Sequence, residues 1–537
     1  MESHFDTSVY GGDTLAPPGT FLLIREDLSD SRGQRTIMLD PVPTSDPNEP
    51  LNWSTLRKAV NWTIVLGMTI VTFTLLSIQS IFWQQMIVDL QVDYEQLNQS
   101  MSVNYVGLAM GCVIFIPMAK KYGRRPVYII SALVLLATSF WMSKLKTITE
   151  LYICNLLQGL GGAVNETIAM ITIADLFFVH HRGSMNGLYM TMVMIGSFLT
   201  PMAAGTQATR QGWRWSYTTL GIFNALFVIL FIFLYEETKY TPVISGSPRP
   251  GTAEDDNTEN TGDPDTKKAP SVTKASVSDE PSTQSHQLDT TIPFNSWRKR
   301  LALVTATPES IWPYYYLMFA GLQYAAGVIW LTILSSVVSL VFPLPPYLFT
   351  PEQIGFMSLG PFIGNLLGAV YGGVLGDWSI LYFSRRNNGF YEPEMRLYIL
   401  HLPALTMAGG LIMFGATIER GMHWIYPSVG GALFGFGLGS IGDASLTLVI
   451  DSYRDITGDA FTAISFLRNA CSIGIPFAIT PWIARNGLQN MFIACGFISF
   501  GVTLLAVPMI FWGKTARRAL AVRYYRLVEQ QGSLGAH

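Results

Sequence analysis

Charge is what this chain has least of. Only 13% of its 537 residues are Asp, Glu, Lys or Arg, while 49% are hydrophobic. Ordinary soluble domains carry about 25% charged residues. The deficit excludes a conventional soluble protein and calls for many helices in lipid. The formal net charge of -3 leaves no basic surface for nucleic acid. Cysteine is also scarce: Cys112, Cys154, Cys471 and Cys495 all fall in apolar runs, without the spacing of a metal site or a disulfide framework. The seven His do not cluster, and no Ser-His-Asp arrangement stands out, so neither an enzyme nor a metal or other cofactor is expected. No G-x-x-x-x-G-K-[ST] loop is present, which removes ATP as the driving force. The opening MESHFDTSVYGGDTLAPPGT has no basic segment followed by an apolar core, so no cleavable signal is expected.

Long apolar runs are what the chain does have. A spanning helix needs roughly 20 mostly apolar residues. Six runs lie near 58–80, 99–119, 126–143, 150–175, 184–206 and 217–235, and six more near 312–342, 353–375, 397–417, 424–451, 459–483 and 488–512. Between the sixes, residues 241–297 are rich in Ser, Thr, Pro, Gly and acid. Such a segment cannot bury enough surface to fold and is expected to be a disordered linker. The expected plan is a tail (1–57), a six-helix bundle (58–240), the linker, a second bundle (298–512) and a tail (513–537). Lys and Arg concentrate in the loops on the side of the termini, among them Lys120, Lys121, Arg124, Arg125, Arg385 and Arg386. The positive-inside rule therefore places both tails and the linker in the cytoplasm.

The two halves resemble each other. The fourth run reads QGLGGAVNETIAMITIADLFF and the tenth LFGFGLGSIGDASLTLVIDSY. Each has a glycine-rich start, a carboxylate in mid-membrane (Glu166, Asp443) and an Asp at the cytoplasmic end (Asp175, Asp451). A charge at bilayer depth costs at least about 2.5 kcal/mol, so it marks a pathway or binding site. Parallel repeats of this kind are a transporter plan. The eighth run carries Gly360, Gly364 and Gly368 at four-residue spacing, a stripe along which another helix can lie closely.

These features resemble the major facilitator superfamily over residues 52–512. The segment MAKKYGRRPVYI is similar to the family's motif A, G-x-x-x-D-R-x-G-R-R, at Gly123, Arg124 and Arg125, with Lys120 at the Asp position. In the second half, YGGVLGDWSILYFSRR matches its beginning at Gly373 and Asp377. GSFLTPMAAG resembles motif C of drug-proton antiporters at Gly196, Pro201 and Gly205. DPNEPLNWS, GWRWSY and YEETKY are similar to fungal members, in the branch that includes the yeast histidinol and polyamine transporter.

The resemblance implies an all-α membrane protein of twelve transmembrane helices in two pseudo-symmetric six-helix bundles. It implies cytoplasmic gating pairs, Arg124 or Arg125 with Asp175 and Asp377 with Arg454, with Asp451 also at the gate. It implies that the fifth helix, through Gly196, Pro201 and Gly205, meets the glycine stripe of the eighth. A central cavity would hold the substrate and proton site, with Glu166, Asn165, Asp443, Trp83 and Tyr324 as its residues. Arg468 is a possible neutralising partner for Asp443. The expected function is proton-coupled transport of small organic molecules across the plasma membrane, by export of a drug or secondary metabolite; proton-driven uptake of polyamines or other organic cations is the alternative.

Overall fold

In hydrocarbon every backbone amide must be satisfied within its own segment, so long apolar runs become helices. The computed structural model describes residues 17–22, 47–240, 315–387, 390–453 and 457–535. Among these, eleven helices are long and apolar enough to span a membrane: α1 (Thr55–Leu90), α2 (Tyr94–Tyr122), α3 (Arg124–Ser143), α5 (Met185–Gln211), α6 (Trp213–Phe233), α7 (Leu317–Val341), α8 (Pro351–Arg386), α9 (Pro393–Glu419), α10 (Ile425–Ser452), α11 (Ala460–Asn486) and α12 (Leu488–Val522). The twelfth, α4 (Ile148–Leu176), has 29 residues and is more polar because it carries Asn155, Gln158, Asn165 and Glu166. All four are buried inside protein, where lipid does not reach them. The expected linker lies outside the described residues.

Local chemistry sets the helix ends. Asp93 and Gln96 form a capping box at α2, and Thr350 with Gln353 forms another at α8, where Pro351 occupies the first turn. α5 passes into α6 through Gly212 at φ +88°, and α11 into α12 through Gly487 at φ +74°. Equivalent links in the two halves thus use the same left-handed residue, which only glycine adopts without strain. The helix of α12 continues to Gly535, so the expected tail from 513 is largely a helical extension. It continues because Lys514 and Arg517 find carboxylates at Glu392 and Glu394. A two-residue antiparallel pairing, Phe21 with Tyr391 and Leu22 with Phe390, is the one departure from all-helical structure among the described residues.

The glycine stripes form seams within each bundle. Side chains added at Gly107 and Gly111 of α2 would strike Leu156 and Leu160 of α4, and one at Gly159 would strike the Asn104 carbonyl. In the second bundle Gly360, Gly364 and Gly368 of α8 face Ser428, Ala432 and Phe436 of α10, while Gly435 and Gly439 face Pro361 and Asn365. The stripe of α8 therefore receives α10 and not α5. The reason is reciprocity: α10 offers small residues at the same four-residue spacing. α5 meets α8 chiefly at its far end, where Gly205 lies against Pro351 and Pro201 against Gly355; Gly196 packs on Ile70 and Phe73 of α1.

Candidate functional site

A cavity of about 440 Å³ lies between the bundles, lined by Glu166, Asp443, Tyr324, Arg468, Asn104 and Asn365 among others. Glu166 comes from α4 of the first bundle and Arg468 from α11 of the second. Their side chains are each only 6% exposed and form an ion pair. Asn469 donates its Nδ2 to Glu166 Oε2 at 3.2 Å and accepts from Arg468 Nε and Nη2 at 3.1 and 2.9 Å. The guanidinium sits 5.0 Å from the Tyr324 ring centroid, a cation–π contact. Arg468 is thus the partner of Glu166, not of Asp443. α11 packs against α2 and α4 of the opposite bundle, which brings its polar face to Glu166.

Asp443 is different. It is half-buried on α10, lines the same cavity, and its carboxylate has no hydrogen-bond or ion-pair partner among the described residues. Thr447 donates to its main-chain carbonyl at 2.7 Å and leaves the acid free. The cavity therefore holds one carboxylate in a direct ion pair and one without a direct partner, which feels the charge of Arg396 from the termini-side network.

Two of the expected cavity residues lie elsewhere. Asn165 is fully buried; its Nδ2 donates to Thr72 Oγ1 of α1 at 2.9 Å, and its carbonyl accepts from Tyr189 at 2.7 Å. Adjacent helical residues point about 100° apart, so Asn165 faces α1 while Glu166 faces the cavity. Trp83 is 1% exposed and packs edge-on against Tyr94, away from the cavity. Tyr324 does line the cavity, but its ring face is taken by Arg468.

The end that carries the termini shows two matching networks. In the first bundle Arg124 Nε pairs with Asp175 Oδ2 at 2.9 Å, and Thr238 also donates to that carboxylate at 3.3 Å. In the second bundle Arg396 takes the equivalent place, with Asp451 at 2.9 Å and Asp377 at 3.3 Å. Asp377 is thus held by Arg396; Arg454 lies outside the described residues. Tyr391 donates to Asp451 as well, and burial pushes its phenol well above its ordinary value, which keeps that proton in place. Arg125 does not pair with Asp175; its Nη2 donates to the Ile232 carbonyl at 2.5 Å.

The YEETKY segment does work that its sequence did not announce. Glu237 accepts from the Arg124 and Arg125 amides at 2.7 and 3.1 Å, capping the positive end of α3. A side chain at Gly123 would collide with that carboxylate. Glu236 binds Arg57 of α1 at 2.8 and 3.0 Å, and this hydrogen bonding holds its carboxyl below the usual range. An acid two to three residues after an apolar run, opposite a loop arginine, is the available signal.

Contacts that join the bundles lie midway or toward the far end. Tyr105 meets Thr332 at 2.5 Å, Asn98 donates to Thr480 at 3.5 Å, and Glu352 of α8 accepts from Thr206 at 3.3 Å. The two termini-side networks each stay within one bundle.

The profile of the Major Facilitator Superfamily matches residues 64–476. The chain belongs to that superfamily. Among fungal relatives, this major facilitator is 25% identical to Protein HOL1 of Saccharomyces cerevisiae, with 93% of this chain and 95% of that protein covered. It is 24% identical to the Multidrug transporter TPO1_2 of Candida glabrata, over 87% of this chain and 76% of the relative. The solved xylose transporter XylE from E. coli shares the fold at a TM-score of 0.56 and 12% identity, covering 85% of this chain and 97% of that one. The protein is a multi-pass integral membrane transporter of fungal type, not an enzyme.

Proposed function

We propose that this major facilitator is a proton-coupled exporter of small organic cations, of the drug or secondary-metabolite kind, acting in the plasma membrane. The observation that carries the reading is the Asp443 carboxylate, which stands on the wall of the central cavity without a direct hydrogen-bond or ion-pair partner among the described residues. With Glu166 balanced by Arg468, the three charges sum to one negative. One proton or one organic cation neutralises that charge, and the two exclude each other there. Mutually exclusive occupancy is the elementary requirement of exchange. The resemblance to motif C and the multidrug relative support export. Alternating access supplies the transport step: the bundles meet at the far end here, and separation there with closure at the termini would carry the site across.

Uptake of a polyamine calls for two free carboxylates, and the engagement of Glu166 speaks against it. The test uses purified protein in proteoliposomes with an imposed pH gradient and a panel of labelled organic monocations and spermidine. Proton-driven movement of a monocation that is lost in Asp443→Asn, at unchanged reconstitution, is the expected result. Transport that survives Asp443→Asn with its pH dependence intact refutes the assignment; spermidine movement with no monocation movement favours the uptake reading.

A further inference from the structure

Residues 17–22 precede the first spanning helix, yet they occupy a built cleft on the second bundle. Pro17 and Pro18 are buried. The Thr20 amide donates to the Pro17 carbonyl at 3.2 Å, and Gly19 has φ +80°. That is a type II turn, with Pro18 and Gly19 in the two central positions such a turn prefers. A Cβ on Gly19 would fall 2.7 Å from the Asp451 carbonyl and 3.1 Å from Pro393. Arg517 of α12, whose side chain is fully buried, donates to the Pro18 carbonyl at 2.7 Å and the Thr20 hydroxyl at 2.8 Å. Its remaining nitrogens hold Glu394 at 2.6 to 3.1 Å. Phe21 and Leu22 then pair with Tyr391 and Phe390. A buried guanidinium whose five donors are divided between a carboxylate and a tail segment is a receptor, because a buried donor left unmade is costly.

We propose that this cleft is the seat of the chain's own N-terminal tail, and that the seated tail clamps the termini-side gate of the second bundle. It touches the start of α9, the end of α10, the α8–α9 link and α12 at once. Two of the residues it lies against, Tyr391 and Asp451, are the gate network itself. Its seating therefore depends on how Tyr391 and Asp451 are placed. Binding that differs between two states shifts their balance by its differential affinity. The clamp therefore favours the state described here, sealed at the far end.

The experiment uses the full chain in native membranes, with Cys471→Ser removing the exposed cysteine. Leu22→Cys with Phe390→Cys is expected to cross-link within one chain under mild oxidant, and Gly19→Val to abolish the product. A second readout is the rate at which a membrane-impermeant maleimide labels Asn186→Cys in the cavity from the termini side. Gly19→Val is expected to slow that labelling by at least about fivefold, the low end of a coupling between sites. Arg517→Lys keeps a charge on Glu394 while losing the second set of donors, and is expected to act in the same direction. Absence of the cross-link overturns the seat, and a cross-link with unchanged labelling overturns the clamp. Neither readout needs a substrate, so failure of the transport assignment would be seen separately.

Discussion

Removing both members of the Glu166–Arg468 pair should cost well under the sum of removing each alone. The two side chains are each 6% exposed, so solvent screens them little. Breaking a buried pair from one side costs about 3–5 kcal/mol, because a charge remains without its partner. Arg468→Gln leaves Glu166 with the Asn469 amide as its one described donor and should show that full cost. Glu166→Gln leaves the guanidinium over the Tyr324 ring, a contact worth about 0.5–2 kcal/mol, so its cost should be smaller. The double variant removes both charges and should lose well under the sum of the two. Unfolding in mixed detergent micelles, followed by tryptophan fluorescence across the four proteins of the cycle, gives the coupling. A coupling of at least about 1.5 kcal/mol is expected; additivity within about 0.5 kcal/mol would refute the pair as an energetic link between the bundles.

Gly364→Val puts a side chain against the Ala432 carbonyl, and overpacking of this sort costs about 1–3 kcal/mol; reduced surface expression and a lower melting temperature are expected, whereas Gly187→Ala, with open space around it, should change neither. The Glu236 carboxyl is depressed by Arg57, so its contribution is present above the ordinary carboxylate pKa and fades as pH falls through the lower folded value. Thermal stability should therefore be flat from pH 6 to 8 in this respect and fall in acid, and Glu236→Gln should lose that acid-dependent part while remaining folded; an unchanged acid limb would contradict the assignment.

Much of the fold was legible because lipid imposes a coarse rule: twelve apolar runs can do little but span. The equivalence of α4 and α10 was visible in their glycines and carboxylates. Which helix meets which was harder, since a stripe on α8 says that a partner is close without naming it; only the matching stripe on α10 decides. The cavity lining was legible at Glu166, Asp443 and Tyr324, where a charge or ring stands on a cavity-facing helix. It was misread at Asn165 and Trp83, because one residue of offset turns a side chain to a different neighbour. The partner of Arg468 depends on α11 crossing to the opposite bundle, a three-dimensional fact with no local trace. Arg396 carries no sequence signal beyond that of a loop charge, and only the fold shows it between Asp377 and Asp451.

The glycine seams have a mechanical meaning. A joint of backbone against backbone holds no rotamers that could rearrange under load, so it passes displacement on undiminished. α10 and the part of α8 that precedes Tyr371 then behave as a single beam, with Asp443 at its middle and Asp451 near one tip. α2 and α4 form its counterpart, bearing Glu166 and Asp175. Compliance is left to the places where the helical ladder is already loosened, the wide turns at Ile195–Leu199 of α5 and Tyr371–Leu375 of α8. A charge gained or lost in mid-membrane would thereby be felt at the termini-side ion pairs as leverage rather than as a signal relayed from side chain to side chain.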